Sequence, residues 1–333
     1  MTKIKDLSLP VPYHETMDII DSSKVQAFMD CPRGFFFRYV LGWEKEDANI
    51  HLVFGSAWHD AMEHLYNNGL SSKEVAVAYQ KFLETYREGF PNELTDGDRA
   101  PKDPSTALQA LAKYATTYRD EDIEVLYTEV ASVVPIRADR VIHTKTDVVL
   151  RQGGSIWSHE HKTTGRNSAP WREKWNLIIQ IGSYSHLLFS AFPNEHVEGV
   201  KINGAVFTKS RGAEFLRIPV RKTATDMQEY LWEVNHWIDQ MIWNFEHLSA
   251  CSDKDDVMTC FPKNSQSCSK FGCRYPGLCS VWQNPLQNLD RMPPGYEVSF
   301  WDPRRVQEEA RNIAVPDEEG NLIIKPKQTE EPS

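Results

Sequence analysis

No stretch of this 333-residue chain approaches the ~18 consecutive apolar residues that a membrane span requires. Its first residues, Met1-Thr2-Lys3-Ile4-Lys5-Asp6, lack the apolar run of a secretory leader. Both absences argue against a membrane partner and lead to the expectation of a cytoplasmic protein. No Gly-x-x-x-x-Gly-Lys-Ser/Thr loop occurs, which argues against a nucleotide-driven motor within the chain. No internal repeat is visible. Positive charge is scarce: 37 Lys and Arg stand against 47 Asp and Glu, a net charge of -10, which by itself disfavours a polyanionic partner. Cysteine is scarce too, with six residues at 31, 251, 260, 268, 273 and 279. Five of them cluster in the last third, which in a reducing compartment points to metal or iron-sulfur ligands rather than disulfides.

Charge distribution reverses the first impression. Residues 137–222 hold fourteen Lys and Arg against seven Asp and Glu, so the middle is basic between acidic flanks. At its heart lie Thr146 to Leu150 and Ile156 to Thr164, two strand-like runs around Gly153-Gly154, a two-residue hairpin signal. With the glycines as the central turn residues, Gln152 pairs with Ser155 and, five steps further, Asp147 faces Glu160. Alternation puts Lys162 on the face of Glu160, with His159 and His161 on the other. Opposed carboxylates repel, so the pair needs Lys162 and a divalent cation to balance it. Oxygen ligands with open water positions suit Mg2+ or Mn2+.

The remaining chain reads as follows. Residues 1–20 are polar and Pro-interrupted, an expected extended arm. Ser22-Ser23 caps a helix leading to Asp30-Cys31-Pro32 and the run Arg33-Gly34-Phe35-Phe36-Phe37-Arg38-Tyr39, taken as core. Gly55 to Tyr66 has helical spacing with His59, Met62, Glu63 and Tyr66 on one face. Residues 71–120 continue as helices broken by a loop from Pro91 to Pro104, and residues 124–136 as a strand. Pro170 precedes an expected helix from Trp171 to Phe189, with Gln180 and Tyr184 pointing one way and Leu177, Ile181 and Leu188 forming its buried stripe. Strands follow at 201–207 and 215–220, then a helix at 225–245 whose Trp232, Trp237 and Trp243 are taken as core.

The order of helices, strands, helix, strands and helix gives an α/β class: a mixed sheet flanked by helices, with a helical front lobe. The expected domains are an arm (1–20), a helical lobe (21–122), a core (123–250), a cysteine segment (251–283) and a flexible tail (284–333). Cys268, Cys273 and Cys279 need a fourth thiolate, with Cys260 and Cys31 both candidates, and the set suits zinc or a 4Fe-4S cluster.

Taken together, Gly55-x-x-x-His59, Asp147, Glu160-His161-Lys162-Thr163 and Gln180-x-x-x-Tyr184, in that order, resemble the RecB-like nucleases of the PD-(D/E)XK superfamily, especially phage and CRISPR-associated exonucleases with an iron-sulfur cluster. The resemblance spans about residues 22 to 280. It implies the restriction-endonuclease-like fold, His59, Asp147 and Glu160 as metal ligands, and Asp147, Glu160, Lys162, Gln180 and Tyr184 as catalytic residues. It also implies a cluster held by Cys31, Cys268, Cys273 and Cys279, with Cys260 as an additional cysteine. Glu160 stands where close relatives often have Asp.

The expected function is therefore a Mg2+- or Mn2+-dependent deoxyribonuclease, an exonuclease on single-stranded DNA or duplex ends, serving recombination, repair or replication in a bacterial or phage-infected cytoplasm. Arg166, Arg172, Lys174, Lys209 and Arg211 would hold backbone phosphates, and a helicase or recombination protein is a possible partner. The alternatives are a non-catalytic DNA-end-binding adaptor that keeps the fold, and a structural zinc protein.

Overall fold

The computed structural model describes residues 3–268, 273–317 and 322–327. In chain order the helices are α1 (Ser22–Asp30), α2 (Pro32–Phe35), α3 (Ile50–Asn68), α4 (Ser72–Gly89), α5 (Pro104–Tyr118), α6 (Ala169–Glu173), α7 (Ile179–Ala191), α8 (Ala224–Leu248), α9 (Ser265–Cys268), α10 (Pro276–Val281) and α11 (Pro303–Glu309). The strands are β1 (Trp43–Lys45), β2 (Glu124–Arg137), β3 (Arg140–Gln152), β4 (Ser155–Thr164), β5 (Val197–Thr208), β6 (Gly212–Val220), β7 (Tyr296–Val298), β8 (Asn312–Pro316) and β9 (Leu322–Pro326). Seven strands form one mixed sheet in the order β6-β5-β4-β3-β2-β8-β9, and β1 pairs with β7 separately. The α/β class with a helix-flanked mixed sheet is what the element order predicts. Among the described residues no helix is long and apolar enough to cross a membrane.

Two compact units divide the chain: residues 1–47, 133–144 and 224–308, and residues 48–132, 145–223 and 309–333. Each unit draws on separated stretches of the chain. In the first unit the run Phe35-Phe36-Phe37 is core, packed with Phe28, Phe245, Phe261 and Tyr275. These contacts tie the expected front-lobe segment to α8 and the cysteine segment, because a triple-Phe run leaves too much apolar surface for a short lobe to bury by itself. The expected extended arm is likewise folded down: Ile4, Val11 and Met17 are buried, and the Ile4 amide donates to Asp18 at 2.7 Å.

In the second unit α3, α4 and α5 are no accessory lobe. Phe54, Trp58, Phe82 and Tyr86 pack with Phe207 of β5, so the helices form one wall of the core that carries the central hairpin. Asn49, Ser71 and Asp103 cap these helices through their side chains.

Three further expectations fail locally. The helix from Trp171 is interrupted by a tight turn at Lys174–Asn176, which throws Leu177 out of phase, 82% exposed, while Ile181 and Leu188 are fully buried. Trp232 and Trp243 are 67% and 47% exposed, on the outer face of α8. The expected flexible tail supplies β7, β8 and β9. Ile313-Ala314-Val315 and Leu322-Ile323-Ile324 are β-branched runs that pair with each other and extend the sheet through β2. The segments 318–321 and 328–333 of that tail, and 269–272 of the cysteine segment, lie outside the described residues.

Candidate nuclease site

The site grows out of the hairpin. Gly153 and Gly154 adopt φ of 59° and 80°, left-handed values that glycine tolerates and a two-residue hairpin requires. They set the register from Gln152↔Ser155 to Val148↔His159, so Asp147 and Glu160 come next along each strand. Side chains of β4 alternate as expected. His159 Nδ1 meets the Tyr66 hydroxyl of α3 at 2.8 Å and the His161 ring lies 5.1 Å from that of Tyr66, whereas Glu160 is paired with Lys162 at 2.5 Å. Across from Glu160, α7 aims Tyr184 at its Oε1 (3.5 Å), and Gln180 donates to the Tyr184 hydroxyl at 2.8 Å.

The alternation of β3 breaks at Asp147. Thr146 contacts the Ser158 hydroxyl, which an unbroken alternation would put on the opposite face. The break frees the Asp147 carboxylate to accept from the His161 backbone N–H at 2.8 Å and to lie 3.3 Å from Nδ1 of His59. Next door on β2, Glu129 has a φ of +49° and is ion-paired with Lys145. Two irregular positions on neighbouring strands therefore gather Asp147, Glu160 and Glu129 around two lysines and a histidine.

The electrostatics follow from burial and crowding. Burial raises the Glu160 carboxyl to about 7, with the Asp147 charge adding to it and Lys162 opposing. Burial and Asp147 likewise raise Glu129 to about 7 against Lys145. Burial works to raise Asp147 also, but His59, His161 and Lys162 outweigh it and hold that carboxyl far below its usual range. Burial opposes the His59 charge, and Asp147 overcomes it, holding the imidazolium up to about 9. His161 is pushed down to about 3 by burial and is neutral. Its Nδ1 meets the Asn203 amide at 2.8 Å.

These shifts set a pH dependence for protein kept in EDTA. A carboxyl raised to about 7 stabilises the fold fully below its ordinary pKa and loses that contribution as pH rises through 7. The His59 imidazolium loses its own contribution as pH rises through 9. The parent's thermal unfolding midpoint is expected to fall relative to that of Glu160→Gln as pH rises from 5 to 8, because the amide has no charge to bury. A midpoint in Glu160→Gln that tracks the parent across that range contradicts the assignment.

One oxygen, Glu160 Oε2, is buried without a hydrogen-bond partner, beside a second carboxylate. Two crowded carboxylates with an unspent oxygen fit a hard divalent cation, the chemistry expected of oxygen ligands. Among the described residues no three His, Cys, Asp or Glu side chains are gathered as a ready metal site. His59, the third expected ligand, lies with its Nδ1 3.3 Å from the Asp147 carboxylate.

The sequence reading missed Glu129, Lys145 and the network behind β4, in which Arg217, Tyr114 and Asn203 lead by hydrogen bonds to His161. An acid amid apolar strand residues was the available signal at Glu129. The network joins residues about a hundred apart and left no local signal.

The five basic residues proposed to hold phosphates are all exposed. Parallel pairing of β4 with β5 ends at Thr164↔Val206, so the loop holding Arg166 and the turn holding Lys209 and Arg211 leave the same end of the sheet, two residues beyond Lys162. Arg211 also lies 3.7 Å from Glu214, and Lys174 stacks over Trp175 at 4.5 Å.

The cysteines form two groups within the first unit. Asn264 receives both ends of one: its N–H points at Cys31 Sγ at 3.5 Å, and the Cys268 thiol points at its carbonyl at 3.6 Å. Burial pushes the Cys279 thiol up to about 11, with Cys31 and Cys273 among the neighbours adding to the shift. Cys260 belongs elsewhere, buried with its sulfur 3.6 Å from that of Cys251.

Among curated proteins none is similar enough in sequence to count as a match. Two solved structures share distant likeness. An exonuclease candidate from Eubacterium rectale is 13% identical over 72% of this chain and 85% of its own, with a TM-score of 0.43. The protein SSO0001 is 14% identical over 71% of this chain and 83% of its own, with a TM-score of 0.30. The family description "PD-(D/E)XK nuclease superfamily" matches residues 22–280, which include the hairpin, His59 and α7. With more than half its length matched, the chain belongs to the PD-(D/E)XK nuclease superfamily.

Proposed function

We propose that this chain is a metal-dependent deoxyribonuclease, acting as an exonuclease on single strands or duplex ends in recombination, repair or replication. The observation that carries the reading is the Glu160 carboxylate: buried, paired with Lys162, touched by Tyr184, and keeping one oxygen unspent beside Asp147. Asp147 and Glu160 would hold Mg2+ or Mn2+, which supplies Lewis-acid polarisation of the phosphate and a water acidified enough to attack it.

The chain's own residues complete the chemistry. Lys162 presents a cation, partly exposed, to charge that develops on the phosphate, and its ion pair with Glu160 fixes where that cation sits. His59 and the His161 backbone amide both hold the same oxygen, Oδ2, of the Asp147 carboxylate. Gln180 orients the Tyr184 hydroxyl, which steadies Glu160. Arg166, Arg172, Lys174, Lys209 and Arg211 would bind backbone phosphates without reading sequence, and a helicase or recombination protein would deliver the ends. Cys31, Cys268, Cys273 and Cys279 would carry a 4Fe-4S cluster; the approach of Cys31 and Cys268 to Asn264, and of Cys31 and Cys273 to Cys279, supports this reading.

The test is hydrolysis of 5′- and 3′-end-labelled single- and double-stranded oligonucleotides with Mg2+, Mn2+ or EDTA. Metal-dependent release of mononucleotides or short products from ends is expected. Intact substrate under every metal condition would favour a DNA-end-binding adaptor instead.

A further inference from the structure

On the α3 side of the sheet, within the second unit, lies a cavity of about 580 Å3 that the proposed hydrolytic site does not use. Its walls include Tyr66, Tyr114, Tyr118, Arg119, Glu121 and Arg217. The volume falls within the ~300–1,000 Å3 of small-molecule sites. Arg217 is the informative residue. Its Nη2 donates to Glu121 at 2.9 Å and to the Tyr114 hydroxyl at 3.0 Å, and its guanidinium lies 4.1 Å from the Tyr118 ring centre. Its Nε and Nη1 are buried and have no partner.

Buried donors without acceptors are costly unless something accepts from them. A fixed guanidinium whose donors are not all spent is suited to a phosphate. Glu121 neutralises Arg217, so the exposed Arg119 gives this wall its net positive charge. Two partly exposed tyrosine rings, Tyr66 and Tyr118, beside a cationic group offer a stacking surface for a base. We infer that this cavity binds a nucleoside monophosphate, its base against Tyr66 and Tyr118 and its phosphate on Arg217 and Arg119.

The cavity is wired to β4. The Tyr66 hydroxyl meets His159 at 2.8 Å, and Tyr114 is reached from Asn203, which also contacts His161, the residue whose backbone amide holds Asp147. Binding stands independently of the nuclease reading. Under that reading the ligand belongs to the product class.

The experiment is calorimetric titration of the full chain with dAMP in EDTA. Saturable binding is expected, at least ten-fold weaker for adenosine and for inorganic phosphate alone. Leu70→Trp, which fills the cavity from its border, is expected to abolish it. Arg217→Lys, checked for folding by circular dichroism, is expected to weaken it ten-fold or more. Asp147→Asn is expected to leave it unchanged. No binding by the parent protein, binding that survives Leu70→Trp, adenosine bound as tightly as dAMP, or loss of binding in Asp147→Asn would each overturn the inference.

Discussion

Glu160→Gln is expected to lower nuclease turnover by ~10²–10³-fold or more, the scale on which removing one pre-positioned charge-stabilising group acts, with little change in DNA affinity. The substitution keeps shape and the Tyr184 contact but removes the charge that holds Lys162 in place. Lys162→Met is expected to fall as far, because it removes the cation and leaves Glu160 and Asp147 opposed with nothing between them. Exposed basic residues should behave differently. Lys209→Ala is expected to raise KM and to make binding less salt-dependent while sparing kcat, since a phosphate contact away from the reacting bond contributes binding alone. Single-turnover cleavage with labelled oligonucleotides separates the two behaviours. Equal kcat in Glu160→Gln and the parent would remove the hairpin from the mechanism.

Cys31→Ala is expected to abolish iron and labile sulfide in anaerobically purified protein, together with its brown colour, while Cys260→Ala retains them. The geometry that separates the two is direct: Cys31 points at Asn264, the same residue that Cys268 approaches, whereas Cys260 is buried against Cys251. Ligation by residues 31 and 268–279 would clasp α1 and α2 to the cysteine segment, which already meet through Ser267 donating to the Asp30 carbonyl at 2.6 Å. Cys31→Ala is therefore also expected to lower the thermal midpoint by several degrees more than Cys260→Ala. Iron lost in Cys260→Ala and kept in Cys31→Ala would reverse the assignment, and colourless protein with stoichiometric zinc would replace the cluster with a zinc site.

The hairpin was legible because its information is local. Two glycines fix the turn, and the turn fixes the register from Gln152↔Ser155 to Val148↔His159, the pair adjoining Asp147 and Glu160 in the chain. The i, i+4 spacing of Gln180 and Tyr184 gave their common direction for the same reason. What the sequence hid is non-local. Glu129 lies within an alternating strand run, and only its left-handed backbone and the packing of β2 beside β3 bring it towards Asp147. Arg217, Tyr114 and Asn203 converge through tertiary packing alone. The aromatic run after Cys31 likewise finds partners more than two hundred residues later, at Phe245 and Phe261. The tail misled through composition: its Pro and charge outweighed two short apolar runs that the sheet nevertheless takes up.

The central claim is that Asp147 and Glu160 together form a divalent-cation site, and titration of Mn2+ followed by electron paramagnetic resonance tests it most directly. The free-ion signal is expected to be suppressed by the parent protein and largely restored in the Asp147→Asn/Glu160→Gln double variant, with circular dichroism unchanged. Undiminished Mn2+ binding in that folded double variant would contradict the account.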